Sequence, residues 1–145
     1  KLLTRMAGPD QPDLVIGSRW VPGGRINGWS HKRVALSKAG NYYVRFCLGT
    51  PVKDATAGLR LHRAAFLQNN EVLDRVATTG FGFQVEMTEL ERSLGAVIAE
   101  VPITFDERIA GESKLDSSIF VEELVMVTKG GLGRVTQAAR RAFSK

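Results

Sequence analysis

Short continuous apolar runs and helical periods follow one another along this chain. Residues 13–19, Asp-Leu-Val-Ile-Gly-Ser-Arg, have a continuous apolar centre, which predicts a short strand buried on both faces. Apolar residues recur at helical spacing over residues 83–94, so we expect an amphipathic helix there, ended by Gly95. Apolar residues occupy every second position at the end of residues 97–105, which predicts extended chain. Strands that alternate with helices indicate an α/β architecture.

The longest predicted helix lies between Ser30 and Leu48. Ser30 is predicted to cap its start, and Gly49 with Pro51 to end it. On a 3.6-residue period Cys47 falls near an apolar arc and is predicted to be core. The arc contains Ala35, Leu36, Ala39, Tyr42, Tyr43 and Phe46.

The remaining pattern predicts shorter elements. Residues 2–6 are predicted to be the tail of a helix stopped by Gly8-Pro9, and residues 64–69 a short helix. Residues 21–29 and 54–60, rich in turn formers, are predicted to be loops. A last helix is predicted near residues 118–129, before a basic tail that favours anionic lipid.

Length and composition indicate a single globular domain, residues 1–145, with an anionic partner. The chain is 43% hydrophobic and 24% charged, which is ordinary for a globular domain. A net charge of +5 favours a nucleotide, a phospholipid, a lipid phosphate or nucleic acid without choosing among them. One cysteine, Cys47, excludes an internal disulfide and any zinc cluster built from cysteines.

The positive charge is concentrated in one block. No carboxylate occurs between Asp13 and Asp54, whereas seven of the 20 Lys and Arg residues do. They are Arg19, Arg25, Lys32, Arg33, Lys38, Arg45 and Lys53. Because surfaces normally mix both signs, this block predicts a surface that meets an anion, and a solvated basic face is the alternative.

Four cations of the chain occupy positions suited to phosphate. Arg19 follows a predicted strand, and ligands of open α/β sheets gather beyond the carboxyl ends of strands. Arg33 lies in the first turn of the predicted helix, and Ser37 lies one turn further on the same face. Lys114 follows Arg108 in a glycine-containing loop, where both can reach one diphosphate. The alternatives are a surface arginine at residue 19 and a loop neutralised by its own carboxylates.

The order of motifs is more specific than any one of them. In sequence come Gly-Ser-Arg19, Pro-Gly-Gly24, Trp29 with Arg33 and Ser37, Asp54-x-Thr-x-Gly-Leu-Arg60, Gly80-Phe-Gly-Phe-Gln-Val-Glu86, Glu100-Val-Pro-Ile-Thr-Phe105, and Arg108 with Gly-Glu-Ser-Lys114. From about residue 13 to residue 133 this set resembles the polyprenol-phosphate (dolichol-phosphate) mannosyltransferases, which are inverting glycosyltransferases.

The resemblance implies a GT-A-type, Rossmann-like mixed sheet flanked by helices. The chain resembles the C-terminal, acceptor- and phosphate-binding part, without the N-terminal nucleotide-binding half. The family implies a divalent metal, Mg²⁺ or Mn²⁺, but its Asp-x-Asp motif is absent from the chain. The pair Glu89-x-Glu91 is predicted to lie on a solvated helix face. An N-terminal half or a membrane-anchoring domain is expected elsewhere.

The resemblance also implies the reaction. Mannose would pass from GDP-mannose to a polyprenyl phosphate with inversion, at the cytoplasmic face of a membrane. Another sugar, such as glucose, is the near alternative. A non-catalytic phosphate- or nucleic-acid-binding module is the distant one, and we expect no nucleic-acid partner because the basic block lacks interleaved aromatic platforms.

By motif match, the resemblance assigns a role to nine residues of this chain. Arg19, Arg33 and Arg108 would act in catalysis, and Ser37 and Lys114 would bind phosphate. Asp54 and Thr56 would touch the sugar or form a side-chain-to-backbone turn; Gln84 and Glu86 would lie on the acceptor side, or Glu86 would be a carboxylate on a helix surface. Trp20 and Trp29 meet lipid or pack internally. The chain itself supplies no metal ligand in this interpretation.

Overall fold

The computed structural model describes residues 1–78, 81–107 and 128. Helices and strands intermingle in these ranges, so the predicted mixed α/β class is confirmed. In chain order the elements are α1 (Leu2–Met6), β1 (Leu14–Ser18), β2 (Arg25–Asn27), α2 (His31–Leu48), β3 (Arg60–His62), α3 (Ala64–Asn69), α4 (Val72–Arg75), α5 (Phe81–Ser93), β4 (Ile98–Pro102) and β5 (Thr104–Asp106).

Two small sheets organise the described residues. In the first, β1 is central, antiparallel to β3 and parallel to β4, with Leu14 opposite Ile98. In the second, β2 and β5 pair in parallel. The two sheets join where Ser18 accepts a hydrogen bond from the Ile103 amide at 3.1 Å and Arg25 donates to the Ile103 carbonyl at 2.9 Å. The end of β1 therefore lies beside the second sheet.

β1 is buried along its whole length, as predicted. Leu14 and Ile16 face a core built with residues of α2, α5 and the chain between α2 and β3. Val15 faces the opposite side, where it packs with β4 and is covered by α1. Because both faces are covered, the strand is fixed and so is the position of Arg19 directly after it.

Helix α2 has the predicted ends. The Ser30 side chain accepts a hydrogen bond from the Arg33 amide, and Gly49 closes the helix with a left-handed φ of 56°. The buried residues of this helix are Asn41, Val44 and Leu48.

The apolar arc of α2 is largely exposed. Leu36 is 48% exposed, Tyr42 66% and Phe46 85%. Only Tyr43 and the predicted core residue Cys47 pack against the core. The helix thus turns much of its apolar arc away from the sheet.

Several predictions of local structure were incomplete or wrong. Residues 21–29 were predicted to be a loop but contain β2, and β3 and α4 were not predicted. The strands β2 and β3 have three residues each, which is too few to show a period. Both depend on pairing partners that are distant in sequence. The predicted last helix and basic tail lie outside the described residues, apart from Thr128. Within the described ranges, no helix combines the length and the apolarity needed to cross a bilayer.

Candidate active site

Arg19 is fixed by Asp54. Its amide donates to Asp54 Oδ2 at 2.8 Å, its Nε donates to the same oxygen at 2.8 Å, and its Nη2 donates to Oδ1 at 2.6 Å. Nη2 also donates to Thr56 Oγ1 at 3.1 Å. Asp54 is fully buried, so the pair forms in a low dielectric, where a bidentate guanidinium–carboxylate contact is strong.

The contacts with Asp54 and Thr56 leave one nitrogen of Arg19 available. A guanidinium has five N–H donors, and Nε and Nη2 direct theirs to these two residues. Nη1 makes no hydrogen bond within the described ranges. Its two hydrogens can therefore bind an anion without disturbing the contact with Asp54.

The turn that carries Asp54 is held from two sides. The Glu100 carboxylate on β4 accepts the amides of Lys53 at 2.8 Å and Asp54 at 3.0 Å. Arg60 on β3 donates to the carbonyls of Ala55 at 2.6 Å and Ala57 at 2.8 Å. Burial lowers the pKa of Arg60 to about 10, although nearby carboxylates oppose the shift. The Asp54 carboxylate therefore binds Arg19. It accepts no hydrogen bond from the backbone amides of its own turn, residues 54–60.

Arg33 packs against Trp29 and binds Glu107. Its guanidinium carbon is 4.2 Å from the centre of the Trp29 ring, and Nη1 bonds Glu107. The Arg19 guanidinium carbon is 5.3 Å from the same ring centre. Trp29 in turn meets Phe105 edge to face at 5.4 Å. Arg19 and Arg33 thus converge on one indole, which packs internally as one of the two predictions for Trp29 stated.

Ser37 lies one helical turn after Arg33 and is half-buried. Its carbonyl accepts a hydrogen bond from Asn41 Nδ2 at 2.9 Å, and the same Nδ2 donates to Thr56 Oγ1 at 3.2 Å. Asn41 therefore ties the Ser37 turn of α2 to the loop that fixes Arg19. The structure brings Arg19, Arg33, Ser37, Asp54 and Thr56 into one region.

The side chains of Gln84 and Glu86 have no direct polar contact with this region among the described residues. No hydrogen bond or ion pair within the described ranges joins either side chain to Arg19, Arg33 or Ser37. Glu86 accepts the amides of Ala77 at 3.2 Å and Thr78 at 2.8 Å, and also the Thr78 hydroxyl. Its visible role is to hold the chain that precedes α5.

Because the pKa of Glu86 is lowered in the folded protein, the free energy of unfolding should depend on pH in the acid range. Partial burial raises the pKa of this carboxyl, but the hydrogen bonds from Thr78 and Ala77 outweigh it and lower the pKa overall. Glu86 therefore stabilises the fold above its unfolded pKa, and this contribution is lost as the pH falls through the lower folded pKa. We expect Glu86→Gln to lower the free energy of unfolding more near pH 6 than near pH 3, measured by urea denaturation.

Thr78→Val is the matched variant, because it keeps the carboxyl and removes one donor. It should reproduce part of the pH-dependent loss seen with Glu86→Gln. An equal loss at both pH values in Glu86→Gln would contradict the role given to these hydrogen bonds.

Arg108 and Lys114 lie outside the described residues. The chain reaches them from Glu107, whose amide donates to the Asn27 carbonyl at 3.1 Å and whose carboxylate binds Arg33. Their place in the site stays a prediction.

Much of the basic block lines a single cleft of about 620 Å³ between α2 and the Pro22–Gly24 turn. Five of the seven cations contribute, and we call this cavity the basic cleft. They are Arg19, Arg25, Lys38, Arg45 and Lys53. No carboxylate lines the cleft among the described residues. The block thus forms a concave cationic surface, which its one-sign sequence had indicated.

The described residues do not provide a metal site. No three side chains of His, Cys, Asp or Glu in these ranges lie together as ligands. The pair Glu89-x-Glu91 is not a solvated face as predicted, because Glu91 is fully buried and bonds His62 Nδ1 at 2.8 Å. Asp54 is engaged by Arg19.

Sequence reasoning missed Glu100, Glu107, Asn41 and Arg60 as supports of the site. Glu100 and Arg60 stand inside quoted motifs, so their motif positions were the available signal. Glu107 was considered only as a neutraliser of its own loop, and the structure directs it to Arg33 instead.

Comparison with known proteins identifies the class. No protein-family model matches the chain. Over 120 residues, 83% of the chain, it is 49% identical to the undecaprenyl-phosphate mannosyltransferase of Micrococcus luteus. Over 127 residues, 87% of the chain, it is 42% identical to the polyprenol monophosphomannose synthase of Mycolicibacterium smegmatis.

The matched regions make up 49% and 48% of these two proteins, so the chain spans about half the length of the curated relatives it matches. The matched regions extend over most of the chain. The chain belongs to the polyprenol-phosphate mannosyltransferase family, as the motif order predicted.

Proposed function

We propose that the protein transfers mannose from GDP-mannose to a polyprenyl phosphate, with inversion at the anomeric carbon. In this proposal residues 1–145 form the C-terminal, acceptor- and phosphate-binding part of a GT-A-type domain. The names of the two relatives support the sugar and the lipid. The observation that carries the proposal is the convergence of Arg19 and Arg33 on Trp29, with Arg19 Nη1 free to bind.

The chemistry needs cations more than it needs a base. The second pKa of a phosphate monoester is about 6, so near neutral pH its oxygen is already a nucleophile. In a single displacement this oxygen bonds to the anomeric carbon of mannose while the bond from that carbon to the diphosphate breaks. The leaving GDP takes the bonding electron pair, and the configuration inverts.

Two anions must approach each other in this displacement. Their repulsion is lowered when fixed cations lie beside both, and fixed cations need no reorganisation as charge moves. Asp54 orients Arg19, and Trp29 with Glu107 orients Arg33. Ser37, one turn from Arg33, would donate its hydroxyl to the acceptor phosphate, and Arg108 and Lys114 would bind the diphosphate.

We also propose roles for the remaining residues, for the metal and for the membrane. Asp54 and Thr56 act mainly through Arg19, and Gln84 and Glu86 would orient the acceptor side. The divalent metal implied by the family, Mg²⁺ or Mn²⁺, would be held by an Asp-x-Asp motif, which this chain does not contain. The protein would work as a peripheral protein at the inner face of the membrane.

A chimaera tests this function directly. The matched 120 residues of the Micrococcus luteus relative would be replaced by those of this chain, and transfer of labelled sugar into polyprenyl phosphate would be followed. We expect mannose transfer from GDP-mannose and a β-linked product, identified by its anomeric coupling constant.

Three outcomes would contradict parts of the proposal. Transfer of glucose from UDP-glucose in preference to mannose would contradict the proposed sugar but would support transfer to a polyprenyl phosphate. An α-linked product would contradict the proposed inversion at the anomeric carbon. A folded chimaera that transfers neither sugar, beside an active parent enzyme, would remove the reaction.

A further inference from the structure

Four cations of the basic cleft have no role in the proposed reaction. Arg25, Lys38, Arg45 and Lys53 line it together with Arg19. Asp54 balances the charge of Arg19, but none of the other four side chains makes an ion pair within the described ranges. Like charges that line one cleft repel one another, and a bound anion would lower this repulsion.

The wall of the cleft also contains donors without acceptors. Trp20 Nε1 and Arg45 Nε are both shielded from solvent and have no hydrogen-bond partner among the residues that the structure describes. The Lys38 ammonium lies 5.2 Å from the centre of the Trp20 ring. Shielded polar groups are normally paired, so these two donors leave the wall of the cleft short of acceptors. Phosphate is an anion that suits a cleft lined by Arg and Lys side chains.

The exposed apolar arc of α2 indicates which phosphate this is. Tyr42 lines the cleft, and Leu36 and Phe46 belong to the same exposed arc. No carboxylate occurs anywhere in α2. A soluble phosphate would leave these apolar side chains in water, whereas a lipid surface offers phosphate and hydrocarbon side by side.

We propose that the basic cleft is a second phosphate site, which takes the headgroup phosphate of an anionic membrane phospholipid. Leu36, Tyr42 and Phe46 then enter the boundary between headgroups and acyl chains, where aromatic and aliphatic side chains are stable. This goes beyond the proposed function, because the reacting phosphates are assigned there to Arg19, Arg33, Ser37, Arg108 and Lys114.

The test is vesicle sedimentation of the full chain, without donor or acceptor substrate. Wild-type chain should bind vesicles rich in phosphatidylglycerol much more tightly than vesicles of phosphatidylcholine alone. Lys38→Gln combined with Arg45→Gln should weaken binding to the anionic vesicles about 30-fold, since each cation near an anionic surface contributes about fivefold.

A matched variant separates the cleft from net charge. Lys1→Gln combined with Arg75→Gln removes the same charge at exposed positions away from the cleft and should bind nearly as the wild type does. Equal losses in the two double variants would overturn the proposal, because they would show attraction by net charge alone.

A second pair of measurements identifies the source of the phosphate. Phe46→Ser, at a position 85% exposed and therefore harmless to packing, should weaken vesicle binding. Calorimetry with inorganic pyrophosphate should show little binding to the cleft. Tight pyrophosphate binding that the cleft variants abolish, with vesicle binding unchanged by Phe46→Ser, would assign the cleft to a soluble phosphate instead. Loss of mannose transfer in the chimaera would leave these binding results intact, so the two proposals fail separately.

Discussion

Arg19→Lys in the active chimaera should transfer mannose about 100-fold more slowly than the unsubstituted chimaera, as is typical when one preorganised donor is removed. A lysine at this position keeps a cation beside Asp54, so the fold should be retained. Its three N–H donors lie on one nitrogen, so it cannot reproduce the planar fork that binds both oxygens of Asp54 while a separate nitrogen is held outward. The loss should appear in kcat, measured with saturating polyprenyl phosphate.

Arg5→Lys is the matched control for this prediction. Arg5 also makes a bidentate contact with an aspartate, Asp10, but on the exposed surface beside α1. Its substitution should leave transfer unchanged. Wild-type turnover in Arg19→Lys, with native circular dichroism, would show that Arg19 Nη1 does not bind a reacting phosphate. An equal loss in Arg5→Lys would show that the effect is not local.

Local signals predicted the elements that they specify. Ser30 and Gly49 set the ends of α2 correctly because capping depends on residues within one turn. The continuous apolar centre of β1 predicted burial on both faces, because no polar position was available to face water. Residues 64–69 form the predicted short helix, and Gly95, with a φ of 88°, lies just beyond α5.

Other features depend on which distant surface packs against an element. The helical period found the apolar arc of α2, but the sequence could not say which arc faces the sheet. Val44 and Leu48 face the sheet because they pack in one core cluster with Leu14 and Ile16 of β1. Glu91 was expected on a solvated face for the same reason, since its partner His62 is 29 residues away.

The candidate site was predicted through motif order and not through local chemistry. The contacts that hold Arg19 and Arg33 span 35 residues to Asp54 and 74 residues to Glu107. No periodicity or spacing specifies such a pairing. The family resemblance implies that these distant residues lie together, because it is defined by motifs in a fixed order that one fold brings into proximity.

Asp54→Ala should lower the free energy of unfolding by about 3–5 kcal/mol, because it leaves a buried guanidinium without its counter-charge. The Arg19 side chain is only 10% exposed, so water cannot replace the lost carboxylate. Urea denaturation at neutral pH measures the loss, and Asp10→Ala, in an exposed pair, should leave the transition midpoint unchanged. Arg19→Ala combined with Asp54→Ala should lose less stability than the two single losses together, because neither charge then remains unpaired. Additive losses would mean that Arg19 and Asp54 are not energetically coupled, and the oriented guanidinium on which the proposed reaction depends would have no support.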